Sequence, residues 1–304
     1  MFAFKLHICR IMKHKTIRRR PAGTHSSDVG AAKLMQEEQQ VRIQCSSGMM
    51  HVNVSRHPSP LVLATRLRGR TSLDSSSAWN DARKILESEG IVILRKALPK
   101  SLVRLARARL LKELHSKGSL EPGTAIGEAR VALACVQGRI PFPSLLRSLE
   151  TQQLPEVLRV LEHPFLFCAA AKLLNAVTVE TTAYKWLRAV PPDTFTGPHM
   201  DRAYVGAGQR LTIWVPFGDV PICPGGQGAL CWVPGSHSNP DIVDKFKYYQ
   251  KAGADGERSG WLAPDPASMS LPSGCHWESI DFQVGDVAVF GMDLLHTTVP
   301  NQSA

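Results

Sequence analysis

No stretch of this 304-residue sequence approaches the roughly 18 consecutive apolar residues that a membrane-spanning helix needs. The longest apolar runs, such as Phe165 to Ala171, have the length of buried helix. There is no CxxC pair. The seven cysteines (Cys9, Cys45, Cys135, Cys168, Cys223, Cys231 and Cys275) are odd in number and irregularly spaced. That excludes a compact disulfide framework and a thiolate metal site. They read as reduced, mostly buried thiols of an intracellular protein. No internal repeat is present. A charge excess is also missing where it would matter. The formal net charge is +10, but residues 1–70 carry 13 Lys/Arg against 3 Asp/Glu, while residues 71–304 carry 23 of each. A balanced folded region lacks the basic footprint that phosphate backbones require, so nucleic acid is not expected as a partner.

What is present divides the chain in two. From Met1 to Ser27 there are seven Lys/Arg and no acid, ending in Arg18-Arg19-Arg20-Pro21. Residues 1–74 are expected to be a basic disordered segment. Its origin has three readings: a mitochondrial transit peptide, a nuclear-type basic cluster, or upstream sequence foreign to the mature protein. Location is accordingly expected to be cytoplasmic, or mitochondrial if the first reading holds.

Residues 75–304 are expected to fold. Ser77 to Leu86 has the spacing of an amphipathic helix stopped at Gly90. Ile91 to Leu94 is a short buried strand. Pro99 and Ser101 open a second helix carrying Leu102, Leu105, Leu110 and Leu114, with Arg104, Arg107, Arg109 and Lys112 on its solvated face. Leu145 to Asn175 is helical with breaks at Pro155 and Pro164. After Asn175 the segments shorten and become rich in β-formers: Val177–Val190, Arg210–Val215, Gly228–Val233, Ser279–Phe282 and Asp286–Phe290. Helices followed by dense short strands predict an α+β domain whose core is a sandwich or jelly roll.

Thr196-Gly197-Pro198-His199-Met200-Asp201 is the segment with chemistry in it. On an extended strand, residues two apart face the same way. His199 and Asp201 would then present two ligands together. Two histidines and one carboxylate on one face of an octahedral metal leave three adjacent positions open, the arrangement of non-haem Fe(II) oxygenases. Downstream come Leu211-Thr212-Ile213-Trp214-Val215-Pro216, then Gly226-Gln227-Gly228-Ala229-Leu230, Val233-Pro234-Gly235-Ser236-His237, Gly285-Asp286-Val287-Ala288-Val289-Phe290 and Leu294-Leu295-His296.

These motifs, in this order, resemble the phytanoyl-CoA dioxygenase family. The match runs from about Ile85 onward and is densest from Tyr184 to His296. The resemblance implies a double-stranded β-helix, or jelly roll, behind N-terminal flanking helices. It implies Fe(II) on His199, Asp201 and His296, and 2-oxoglutarate near Trp214 and Thr298, with Trp214 equally able to serve as plain core. It implies a small-molecule substrate and dioxygen as reaction partners, and hydroxylation coupled to oxidative decarboxylation. Halogenating relatives replace the carboxylate with a small residue, so Asp201 points to hydroxylation. Tyr204 and Arg202 are candidates for lining the pocket, His237 for holding a turn through hydrogen bonds. Cys275-His276 lacks a third soft ligand.

One departure stands out. The family carries an Arg about ten residues after its distal His, paired with the far carboxylate of 2-oxoglutarate. Val299 to Ala304 contains no Arg. The expectation is a sequence truncated before the last barrel strand. The alternative is a non-catalytic binding protein that keeps the fold. Lys185 and Arg188 are candidate substitutes for the cation. Three positions apart on one strand, they face opposite sides, so at most one can serve.

Overall fold

The computed structural model describes residues 2–10, 39–45, 47–54, 61–63, 72–143, 148–206, 208–222, 228–246 and 260–302. Four strands come first: β1 (Phe2–Arg10), β2 (Gln39–Cys45), β3 (Gly48–Val54) and β4 (Leu61–Leu63). Helix α1 (Ser72–Glu89), strand β5 (Ile91–Arg95) and helix α2 (Lys100–Ser116) follow. Then come short helices α3 (Leu133–Val136), α4 (Leu149–Gln152), α5 (Pro155–Leu161) and α6 (Pro164–Leu173). The remainder is β6 (Val179–Thr181), β7 (Trp186–Ala189), α7 (Arg202–Val205), β8 (Arg210–Pro216), β9 (Leu230–Trp232), α8 (Pro240–Phe246), β10 (Trp277–Ser279), β11 (Val287–Gly291) and β12 (His296–Thr298). Among the described residues no helix is long and apolar enough to cross a membrane.

Local chemistry sets the helix ends. α1 stops at Gly90, whose φ of +81° suits glycine and whose amide donates to the Leu86 carbonyl at 3.0 Å. Pro155 and Pro164 do not merely break a helix. Each occupies the first turn of one, where its missing N–H costs nothing, and the His163 ring caps α6 by accepting from the Phe165 amide.

The strands form two sheets. The larger runs β4-β5-β11-β8-β1-β6, with β7 also paired to β1. The smaller runs β12-β9-β10-β3-β2. Alternation along the larger sheet sorts its side chains cleanly. Val92, Leu94, Ile213, Val215, Val287 and Val289 pack with Val103, Leu110, Val157, Val160 and Leu166 of the helices. Ile91, Ile93, Trp214, Ala288 and Phe290 point the other way, onto Met50, Val52, Leu230, Trp232 and Trp277 of the smaller sheet. The molecule is therefore α+β, with helices on one face of the larger sheet and the second sheet on the other.

Residues 1–74 depart from the expected disorder wherever they are described. β1 is an interior strand, antiparallel to β8 on one side and to β6 and β7 on the other. β2 and β3 form an antiparallel hairpin, and β3 adds parallel to β10. The physical reason is a period-two pattern that net charge hid: Phe2, Phe4, Leu6 and Ile8 alternate in β1, and Met50, Val52 and Val54 are buried along β3. The Arg18-Arg19-Arg20 cluster, Gly226 and Gln227 lie outside the described residues.

Other boundaries shift. Val177–Val190 is two strands rather than one. The strand expected at Ser279–Phe282 is Trp277–Ser279, and Phe282 instead makes an isolated bridge to Val220. The thiols are less uniformly buried than expected. Cys45 and Cys231 are buried, Cys135 and Cys275 half-buried, and Cys168 is exposed on α6. On α2, Arg107 is not a simple solvated residue, since burial lowers its pKa against a partial counter-effect from Asp219.

Candidate metal centre

His199, Asp201 and His296 converge from distant parts of the chain. One ligand atom from each lies within 4.8 Å of the others, and all three residues are buried. The His199 Nε2 is 3.3 Å from Asp201 Oδ1, and the His296 Nε2 is 3.6 Å from the same oxygen. Ligands about 2.1 Å from one metal and at right angles would be ~3 Å apart. The observed spacings are close to that.

The expected extended strand at His199–Asp201 is only half present. His199 forms a one-residue antiparallel bridge with His296. Asp201 already has helical angles and stands at the N-terminal boundary of α7, with no capping bond from its side chain. The ligands still face one way because separate contacts fix each of them. His199 Nδ1 faces the Gly197 carbonyl at 2.7 Å, and His296 Nδ1 faces the Leu294 carbonyl at 2.9 Å. A carbonyl only accepts, so each Nδ1 carries the hydrogen, and each Nε2 is the nitrogen turned toward Asp201 Oδ1. Thr212 Oγ1 donates to Asp201 Oδ2 at 2.6 Å, which leaves Oδ1 turned toward the two imidazoles. The donor set of two neutral imidazoles and one carboxylate fits a divalent first-row metal.

Around this group the packing is dense. Phe290 lies 4.8 Å from the His296 ring, and Tyr204 stands edge-on to His199 at 5.6 Å. Burial, with Asp201 nearby, pushes the Tyr204 phenol up to about 12, so it stays protonated at neutral pH. The Leu295 amide donates to Ser236 Oγ at 2.9 Å, which steadies the residue before His296. His237 takes the expected turn role, its Nε2 3.0 Å from the Glu87 carbonyl. Arg202 pairs with Asp293. His276 pairs with Glu278 at 3.1 Å, and Cys275 receives a contact from Asn239, so this pair is no metal site.

The two residues expected near a cosubstrate are both buried. Trp214 is 2% exposed and packs on Phe282 at 4.8 Å, a core contact on the side of the larger sheet that faces the metal ligands. Thr298 follows His296 by two, and its Oγ1 accepts from the Thr196 amide at 2.8 Å. That leaves its hydroxyl hydrogen for another acceptor. Lys185 is fully buried on the opposite side, paired with Glu162 at 3.0 Å. Thr212 and the carbonyls of Gly197 and Leu294 were not foreseen. The signal for Thr212 was available: a lone polar residue in an apolar strand, two positions before Trp214 and therefore on its face.

A family model described as phytanoyl-CoA dioxygenase (PhyH) matches residues 145–304. No curated protein matches the sequence. Among solved structures, the chain is similar to the non-heme alpha-ketoglutarate-dependent carbocyclase SnoK from nogalamycin biosynthesis, with 18% identity, 73% of this chain and 78% of that one covered, and a TM-score of 0.46. It is also similar to the epimerase SnoN in complex with Fe3+, alpha-ketoglutarate and nogalamycin RO, with 21% identity, coverages of 75% and 79%, and a TM-score of 0.44. A third is AviO1 from Streptomyces viridochromogenes Tue57, with 22% identity, coverages of 74% and 89%, and a TM-score of 0.43. Likeness this distant carries no argument about chemistry.

Proposed function

The chain belongs to the phytanoyl-CoA dioxygenase family, and on that premise we propose that it is a non-haem Fe(II), 2-oxoglutarate-dependent dioxygenase that hydroxylates a small organic molecule. The observation that carries the proposal is the convergence of two imidazole Nε2 atoms on one carboxylate oxygen, each imidazole oriented by a carbonyl behind it. We read the two facing sheets as a double-stranded β-helix. We place its catalytic domain at residues 75–304, with β1 to β4 added to its sheets.

His199, Asp201 and His296 hold the metal, Trp214 flanks the cosubstrate and Thr298 donates to it. Bound Fe(II) and 2-oxoglutarate supply the activation of dioxygen, giving succinate, CO2 and one oxygen atom for the substrate C–H bond. The chain's own part is positional. Thr212 occupies the second oxygen of Asp201, leaving Oδ1 as the oxygen that would meet the metal. Phe290 and Trp214 exclude water from one side. The protonated Tyr204 offers a hydrogen-bond donor beside His199. Asp201 fills the position that a halide would need, which favours hydroxylation.

The experiment is anaerobic Fe(II) binding followed by succinate release from 2-oxoglutarate. About one Fe(II) per chain is expected, with binding lost in His199→Ala and in Asp201→Ala. Stoichiometric iron in both variants would remove the assignment. Iron binding without any 2-oxoglutarate turnover would favour the non-catalytic alternative.

A further inference from the structure

2-Oxoglutarate is a dianion, and a metal takes up only one of its carboxylates. The other has to be met by the protein, because a buried charge without a counter-charge is costly. We propose that Arg188 is the residue that holds this distal carboxylate. The inference rests on the cosubstrate assignment above and deepens it.

Three observations point to Arg188. First, β7 alternates. Leu187 and Ala189 enter the helix-side core, so Arg188 lies on the face turned toward the second sheet. Second, its Nη2 donates to the Phe195 carbonyl at 3.0 Å. The next residue, Thr196, is bonded to Thr298 through its amide, and Gly197 orients His199. The guanidinium is thereby tied to the short segment that links Thr298 to the first metal ligand.

Third, its charge meets no acid among the described residues, and its Nε is shielded from solvent without a hydrogen-bond partner. Burial lowers its pKa, as expected for a cation short of a counter-charge.

Three nearby cations are already engaged: Lys185 with Glu162, Arg202 with Asp293, and Arg210 with the Val205 carbonyl. A guanidinium with a free N–H edge is shaped for a carboxylate, which it binds through two parallel hydrogen bonds. The hydroxyl hydrogen left over on Thr298 would reach the same group.

The test uses full-length protein loaded with Ni(II), which keeps the ligand from turning over. Calorimetric titrations compare 2-oxoglutarate with 2-oxopentanoate, which has a methyl group where the distal carboxylate stands. Wild type should prefer 2-oxoglutarate by about 10–100-fold, the weight of charge-assisted hydrogen bonds. Arg188→Met should lose that preference while its Ni(II) stoichiometry and its 2-oxopentanoate affinity stay the same. Arg188→Lys should retain part of it. Equal affinity of the wild type for both ligands would overturn the proposal without any variant. So would an Arg188→Met protein that still discriminates, or one in which both ligands weaken equally, the mark of a structural role through Phe195. Lys5 stands in register between Trp186 and Trp214, so discrimination lost in Lys5→Met but kept in Arg188→Met would assign the carboxylate to Lys5 instead. Wild type that binds Ni(II) but neither keto acid would fail the cosubstrate assignment itself, and this inference with it.

Discussion

His199 and His296 are joined backbone to backbone. The His199 amide donates to the His296 carbonyl at 2.9 Å, and the His296 amide returns a bond to the His199 carbonyl at 3.0 Å. Their rings lie 4.1 Å apart. Two candidate ligands separated by nearly a hundred residues are thus fixed as a pair by the backbone alone. Asp201 is the ligand held by side-chain contacts rather than by that ladder, so it is the one whose support can be removed cleanly.

Thr212→Val keeps the shape of the strand and deletes the hydrogen bond to Asp201 Oδ2. Loss of such a supporting contact typically weakens metal binding ~10–100-fold. Competitive titration with a chromophoric chelator should show that loss, with the folded circular-dichroism spectrum unchanged. Wild-type metal affinity in this variant would mean that Asp201 is held by other contacts.

Gly197→Ala should damage the site through packing. An added Cβ would fall 2.4 Å from the Trp261 ring. Crowding of this kind costs roughly 1–3 kcal/mol, and the displaced Gly197 carbonyl is the one that orients His199. Chemical denaturation should report the lost stability, and the same chelator titration a weaker metal. Gly127→Ala is a suitable control, having nothing within 4 Å of its added Cβ.

Deleting residues 2–10 should uncouple β6 and β7 from the larger sheet, since β1 is the strand between them and β8. The unpaired edge of β8 would also invite association. A large drop in melting temperature and aggregation on heating are expected by calorimetry and light scattering. A melting temperature unchanged by the deletion would show that β1 contributes nothing to stability.

Thiol labelling should sort the cysteines by burial. Burial pushes the Cys231 thiol up to about 12 and the Cys45 thiol up to about 11. A raised pKa means the reactive thiolate is scarce at pH 8, so both should resist alkylation in native protein. Among these described thiols, Cys168, exposed on α6, should label before Cys45 and Cys231. Peptide mapping after brief iodoacetamide treatment reads the order, and early labelling of Cys231 would contradict it.

Much of the fold was legible because short-range rules govern it. Gly90 ended the first helix, Pro155 and Pro164 marked starts of helices, and Ile91 to Leu94 was a strand buried on both faces. β1 was missed because its Lys5, His7 and Arg10 drew attention to composition, while its apolar positions fell on every second residue. The Ser279–Phe282 strand was misplaced for a related reason. Ile280 and Phe282 are buried as their composition suggests, but the ladder that defines the strand ends at Ser279.

By itself the sequence determined which residues make up the candidate metal site and in what order they come. His199, Asp201 and His296 stand out because few combinations of side chains make a metal site, and their spacing and flanking motifs are local properties of the chain. Only the tertiary structure decided what holds them: Thr212 on Asp201, a carbonyl behind each imidazole, and the cross-bridge between the two histidines. It also separated Lys185 from Arg188, pairing the first with Glu162 and the second with the Phe195 carbonyl. The reason is physical. A residue's type is fixed by the chain, but its partners depend on which strands meet, and that is set by burying both faces of one sheet at once.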